Sequence, residues 1–219
     1  MRKLITAAFV TLDGVMQAPG GPEEDPSGGF AFGGWTVDYW DDAMGSAMEA
    51  LFDAPFDLLL GRRTYEIFAA HWPYAEGPIA DKFNPATKYV ATSSAEPLAW
   101  RNSVALRGDV PAEVARLKRE QGPNLLTQGS SILVQSLLAN GLIDELRLLV
   151  FPLLLGNGKK LFGDGSAPAA LKLGDSRTST TGVIMATYVP EGSVHTGSFA
   201  LDEPSAAEIA RREKWKREK

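Results

Sequence analysis

Hydrophobic and polar positions along this chain follow two kinds of pattern, short unbroken apolar runs and longer stripes at helical spacing. Lys3-Leu4-Ile5-Thr6-Ala7-Ala8-Phe9-Val10 is apolar almost throughout and partly β-branched, which predicts a strand buried on both faces. Over residues 41–52, Met44, Ala47, Met48, Leu51 and Phe52 recur at helical spacing, so an amphipathic helix is expected with its methionines in the core. Residues 56–60 predict a strand running into Gly61-Arg62-Arg63-Thr64, and residues 65–72 a helix with Thr64 as N-cap. Residues 88–92 and 104–107 read as strands, followed by a helix that Asp109 caps and Gly122-Pro123 stops. A strand is expected over 124–128, a turn at Gly129-Ser130-Ser131, and a helix over 132–140 with Leu133, Leu137 and Leu138 on its buried face. Residues 145–151 make a further strand, and residues 180–189 and 194–200 have the spacing of a hairpin.

Strands separated by helices and closed by an antiparallel pair specify an α/β fold, a mixed sheet with helices on its faces. Between the first strand and the first helix, residues 20–34 include six glycines among fifteen residues, with Phe30 and Phe32 inside the loop and Trp35 just beyond it. Loops of this length inside a domain are usually lids or binding loops, the alternative being a floppy insertion. At 219 residues one core is expected, taken as a single domain over 1–200 and a charged C-terminal tail over 201–219.

Composition narrows the chemistry. A net charge of −5 disfavours nucleic acid as a partner, and no apolar run approaches the roughly 18 residues of a membrane span. The start, Met1-Arg2-Lys3-Leu4-Ile5, lacks signal-peptide character, so a cytoplasmic protein is expected. With no cysteine, and with His71 and His195 far apart, no metal site is expected. A small molecule remains as the partner. Gly61-Arg62-Arg63-Thr64 and Gly129-Ser130-Ser131 each join the end of a strand to the start of a helix. Unpaired first-turn N–H groups and the helix dipole attract phosphate at such a place, although glycine and serine also begin helices for structural reasons alone. Arginine pairs suit phosphate oxygens. Neither turn is a G-x-G-x-x-G or a Walker loop.

Thr11-Leu12-Asp13-Gly14-Val15, Leu60-Gly61-Arg62-Arg63-Thr64-Tyr65-Glu66, Gly129-Ser130-Ser131-Ile132-Leu133, and Gly141-Leu142-Ile143-Asp144-Glu145-Leu146 continuing through Pro152-Leu153-Leu154-Leu155-Gly156-Asn157-Gly158-Lys159-Lys160-Leu161-Phe162 occur in this order. Together they resemble the dihydrofolate reductase superfamily, most closely its branch related to the reductase domain of bacterial riboflavin biosynthesis. The resemblance covers roughly residues 3 to 190. It implies a dihydrofolate reductase-like three-layer α/β/α fold, with a mostly parallel sheet and antiparallel C-terminal strands, and an NADPH cofactor across the C-terminal strand ends. By position it places the adenosine-side phosphates at Gly61, Arg62, Arg63 and Thr64, with Thr92, Ser93 and Ser94 near the 2′-phosphate. The pyrophosphate would lie on Gln128, Gly129, Ser130, Ser131 and Ile132, and the nicotinamide beside Thr11, Gly14, Val15 and Met16.

The implied activity is hydride transfer from NADPH to a C=N or C=O bond of a small planar, heterocyclic substrate. The alternatives are a dinucleotide-binding protein without turnover, or a true riboflavin-pathway or folate reductase. Asp13 is a candidate to orient substrate or relay a proton, and equally an ordinary Asp-Gly turn. Trp35, Tyr39 and Trp40 could form a ring-stacking wall, and are equally plausible as core aromatics. Folate reductases carry a carboxylate on the first helix, a place for which Asp38, Asp41, Asp42 and Glu49 compete. After Thr64 the chain continues Tyr65-Glu66-Ile67-Phe68, without the Asp-Asp-Pro of the riboflavin branch. Residues 145–151 and Pro152-Leu153-Leu154-Leu155 are more apolar than an exposed edge should be. With the pairing common among riboflavin-type relatives, this predicts a homodimer.

Overall fold

The structure, a computed structural model, describes residues 1–164 and 166–218. Among them eight strands make one sheet: β1 (Leu4–Thr11), β2 (Phe56–Gly61), β3 (Lys88–Ala91), β4 (Ser103–Leu106), β5 (Asn124–Thr127), β6 (Glu145–Phe151), β7 (Ala170–Thr178) and β8 (Ile184–Gly192). Their spatial order is β4-β3-β2-β5-β1-β6-β8-β7. From β4 to β6 neighbouring strands run parallel, and β8 and β7 close the sheet antiparallel. The helices are α1 (Asp42–Phe52), α2 (Arg62–His71), α3 (Pro78–Phe83), α4 (Val110–Arg119), α5 (Ser131–Ala139) and α6 (Ala206–Arg217). None is long and apolar enough, among the described residues, to cross a membrane.

Strand side chains alternate between faces, and the continuous apolar runs serve two cores. Leu4, Ala8, Leu59 and Leu125 join Val114, Leu117, Leu133 and Leu137 of α4 and α5 on one face. Ile5, Ala7, Leu58, Leu60 and Leu126 meet Met48, Phe52, Tyr65 and Phe83 of α1, α2 and α3 on the other. This is the three-layer α/β/α arrangement. A third cluster, with Val15, Phe30, Trp35, Met44, Phe151 and Met185, lies under the loop that follows β1.

The elements differ from the sequence expectations in four places. Thr64 is not the N-cap of α2, because the helix begins at Arg62 with Gly61 in the cap position. Helix α3 was not expected, since six residues are too few to show a periodic stripe. The terminal hairpin pairs β7 with β8, and residues 194–200 carry no strand. Nearly all of β7 is exposed, so no buried face marked it in the sequence. Finally, β6 is an interior strand between β1 and β8, which accounts for its apolar residues within one chain. The expected homodimer therefore loses its support from that strand and rests on Pro152-Leu153-Leu154-Leu155, where Leu154 is exposed, and on the resemblance.

At the start of β3, Lys88 is fully buried, with Nζ donating to the carbonyls of Asn84 and Arg101 at 2.8 and 3.2 Å and lying 4.1 Å from the Trp100 ring centre. Burial lowers its pKa from 10.5 to about 8, with Arg101 adding a like charge. Between those values the unfolded chain holds a proton that the folded one has lost, so stability should rise with pH over that window. The gain expected is on the order of 3 kcal/mol. Denaturant melts at a series of alkaline pH values should show this rise in the wild type and not in Lys88→Met.

Candidate functional site

Adjacent parallel strands β2 and β5 send their following helices to opposite faces, α2 against one core and α5 against the other. Such a divergence opens a crevice beyond the C-terminal ends of the strands, where ligands bind in open α/β sheets. Here the two helix starts flank it. Gly61 N donates to Gly129 O at 3.3 Å, and Thr64 Oγ1 donates to Ser130 Oγ at 3.4 Å. The peptide between Gly129 and Ser130 is cis.

The helix starts differ in their caps, and α3, with Gly77 at its cap position, also lacks a side-chain one. Asp41 caps α1 by accepting from Met44 N, and Asp109 caps α4 by accepting from Ala112 N. In contrast, α2 and α5 have Gly61 and Ser130 at the cap position and no side-chain cap hydrogen bond. Their first-turn N–H groups are thus left without the intramolecular acceptor that the other two helices supply. Glycine is dictated at position 61 by packing: a Cβ there would stand 2.0 Å from Ser130 Oγ. Gly129 has φ +135°, and its Cβ would lie 3.0 Å from Thr64 Oγ1. A side chain at either position would disturb the junction itself.

A cavity of about 740 Å³ opens at this junction, within the range of small-molecule and cofactor pockets. Of the expected cofactor residues it is lined by Met16, Gly61, Arg62, Arg63, Thr64, Gln128, Ser130, Ser131 and Ile132. Ala7 and Ala8 of β1 contribute small side chains, and Phe9, Trp40, Phe52, Phe68 and Trp72 supply an aromatic wall.

Other expected residues are placed elsewhere. Thr11 and Asp13 serve the backbone: Thr11 Oγ1 donates to Asp13 Oδ1 and accepts from Val15 N, while Asp13 accepts from the amides of Leu155 and Gly156 at 3.3 and 2.7 Å. The Thr11 hydroxyl, followed by those amides, holds the Asp13 carboxyl below its ordinary pKa, which suits a fixed acceptor and not a proton donor. Trp35 is buried in the third core with its indole N–H on Gln17 O. Asp38 is exposed in a short 3-10 turn over Val37–Tyr39. Gly14, Val15, Thr92, Ser93 and Ser94 do not line the cavity either. Gly14 and Val15 face Leu161 and Lys160 in a local pairing. Thr92 Oγ1 accepts from Ser94 N and Ser94 Oγ from Glu96 N, shaping their own turn.

The arginines are already engaged. Arg62 pairs with Glu66 and Glu96 at 2.5 and 3.0 Å. Arg63 donates to Ser27 Oγ at 2.7 Å and lies 3.4 Å from Asp25. Three groups that the sequence did not single out also line the cavity: Glu24, Asp25 and Lys159. Lys159 arrives because Met16 N donates to Lys159 O, and its Nζ donates to Asp25 Oδ2 and Ser27 Oγ at 2.5 and 2.9 Å. Its sequence signal lay in Gly156-Asn157-Gly158-Lys159-Lys160, part of the longest stretch of resemblance.

Asp25 therefore joins three segments at one carboxylate: the long loop, the start of α2 and the segment around Lys159. Gln17 reinforces this by donating to Asp25 O and Ser27 O at 2.8 and 2.9 Å. Residues 20–34 are thus tied down at one point over the cavity. Asp25→Asn removes the charge from both ion pairs and should speed limited proteolysis within residues 20–34 several-fold. An unchanged cutting rate would show that Phe30 and Trp35 packing alone holds the loop.

The family model for the RibD C-terminal domain matches residues 2–185. An uncharacterized Bacillus subtilis protein, YyaP, is 26% identical over 192 residues, covering 85% of this chain and 94% of that protein. Among solved structures, a Shewanella sp. PV-4 protein described as belonging to riboflavin biosynthesis superposes with a TM-score of 0.61 at 21% identity, over 86% of this chain and 99% of its own. Dihydrofolate reductase from Enterococcus faecalis, solved with NADP(H) and RAB-propyl, gives 0.51 at 17% identity, over 86% and 96%. The matched span runs from β1 into β8 and includes both uncapped helix starts, and the chain belongs to the RibD C-terminal domain family, with a dihydrofolate reductase-like fold.

Proposed function

We propose that this protein is an NADPH-dependent reductase acting on a C=N or C=O bond of a small planar heterocycle. The observation that carries the proposal is the pair of uncapped helix starts, α2 and α5, facing one cavity at the C-terminal ends of β2 and β5. The donor set fits a dinucleotide: first-turn amides and the hydroxyls of Thr64, Ser130 and Ser131 suit a pyrophosphate. Arg62 is proposed for the additional phosphate of NADPH. Its partner Glu96 is 75% exposed, and a surface ion pair of that kind contributes only about 0–1 kcal/mol, so exchanging it for phosphate costs little.

NADPH supplies the hydride. The chain supplies orientation at the helix starts, a wall of rings beside them, and a pinned loop that keeps water from the reacting atoms. Calorimetric titration with both cofactors tests the proposal. NADPH should bind about tenfold or more tightly than NADH, as one good charge-assisted contact gives. Equal affinities would remove Arg62 from the site, and no binding of either would remove the proposal. Loss of NADPH absorbance with a panel of pterins, pyrimidines, quinones and imines then tests turnover.

A further inference from the structure

Two Asn-Gly pairs occur in the chain, Asn140-Gly141 and Asn157-Gly158. Such a pair is reactive because glycine carries no side chain to keep its amide nitrogen from approaching the preceding carboxamide. Both pairs are exposed, yet the fold treats them differently. At the end of α5, Asn140 Nδ2 donates to Ser136 O at 2.9 Å and Gly141 N donates to Leu138 O at 3.0 Å, so both reacting groups are engaged. Asn157 and Gly158 lie in the bend before Lys159, and among the described residues neither the Asn157 side chain nor Gly158 N makes a hydrogen bond. The chain on either side of this second pair is fixed. Gly156 N donates to Asp13 Oδ2 at 2.7 Å, Lys159 N to Gln17 Oε1 at 2.9 Å, and Met16 N to Lys159 O at 2.9 Å. Gly158 has no slack inward, since a Cβ there would stand 2.6 Å from Val15 Cγ1 and 3.0 Å from Phe30 Cε2.

We propose that Asn157 is a self-modification site, where slow deamidation to aspartate and isoaspartate loosens the long loop over the cavity. Gly158 N gives up its proton and bonds to Cγ of Asn157, and the Cγ–Nδ2 bond breaks with release of ammonia, which carries that proton away. Water then opens the resulting imide ring. Attack at Cγ leaves aspartate, whereas attack at the main-chain carbonyl leaves isoaspartate, whose chain runs on through the side-chain methylene; nothing is oxidised or reduced. Isoaspartate therefore lengthens a stretch that is clamped at Gly156 and Lys159. The displacement falls on Gly158, which lies against Val15 and Phe30, and on Lys159, whose Nζ holds Asp25 and Ser27. These are attachments of residues 20–34, so the loop opens as the product accumulates. None of them involves the backbone amides assigned to the dinucleotide, and the modification stands apart from the reductase reading.

The test ages the full chain for weeks at a fixed, mildly alkaline pH and maps its peptides by mass spectrometry, the unaged sample correcting for conversion during digestion. Trypsin separates the two sites, with Asn157 in residues 148–159 and Asn140 in residues 120–147. Asn157 should deamidate about tenfold or more faster than Asn140, where two hydrogen bonds must break first. Electron-transfer fragmentation should identify isoaspartate at position 157. Limited proteolysis within residues 20–34 should quicken several-fold in the aged protein, in step with its isoaspartate content. Asn157→Gln aged alongside should keep the rate of fresh protein, because glutamine would have to close a larger ring. Freshly purified Asn157→Asp carries the charge of the product without the longer chain, and it should keep that rate too. Equal conversion at the two asparagines, no isoaspartate at position 157, or cutting that is indifferent to ageing would overturn the inference. So would faster cutting in aged Asn157→Gln or in fresh Asn157→Asp.

Discussion

Replacing Ile132 by aspartate is expected to leave the protein folded and to weaken NADPH binding by tenfold or more. Ile132 stands in the first turn of α5, lines the cavity and is 79% exposed, so its removal sacrifices little packing. An aspartate in a helix's first turn interacts favourably with the dipole, by about 0.3–1 kcal/mol, so the melting temperature should hold or rise. The same carboxylate would face the pyrophosphate and set a like charge against contacts worth about 1.5–3 kcal/mol each. Stability and affinity then move in opposite directions, which a purely structural helix start would not produce. Circular dichroism melts and NADPH calorimetry on the same preparation provide the check. Ala112→Asp, in the first turn of α4 that Asp109 already caps, is the matched control and should leave NADPH affinity unchanged.

The second large effect is expected at Gly61. Gly61→Ala sets a Cβ 2.0 Å from Ser130 Oγ and 3.0 Å from Ser130 Cβ, so the two helix starts must move apart. Overpacking of this kind costs about 1–3 kcal/mol, and the displaced amides should cost most of the NADPH affinity. Ser130→Gly removes both of the crowding atoms. In the double variant Gly61→Ala with Ser130→Gly, a large part of the lost stability should return, a coupling that a double-mutant cycle measures directly. Additive losses would mean that the two turns do not depend on their close approach.

What could be read from the sequence, and what could not, follows from the range over which each determinant acts. The buried strands were legible because β1, β2 and β5 are packed on both faces and their apolar runs are unbroken. The two strand-to-helix turns at Gly61 and Gly129 were legible because a strand end, a glycine and a hydroxyl lie within a few residues of one another. Glu24, Asp25 and Lys159 were not, since Asp25 meets Lys159 across 134 positions of sequence and nothing local marks that meeting. Asp13 misled for a related reason: its partners, the amides of Leu155 and Gly156, lie 142 and 143 positions away. Read locally, an Asp-Gly pair after a strand looks available, whereas in the fold its oxygens are occupied. Strand β7 escaped notice because an edge exposed on both faces needs no apolar alternation.

Amide proton exchange measured by NMR with and without NADPH reports most directly on whether the uncapped helix starts hold the dinucleotide. First-turn amides of a helix have no internal acceptor and exchange quickly unless something else receives them. The amides of Arg62, Arg63 and Thr64 in α2 and of Ser131, Ile132 and Leu133 in α5 should slow on addition of NADPH. Those of Met44 and Ala112, which Asp41 and Asp109 already receive in α1 and α4, should not change. Exchange at α2 and α5 that is indifferent to saturating NADPH, or slowing confined to other parts of the chain, would contradict the assignment of these two helix starts to the cofactor.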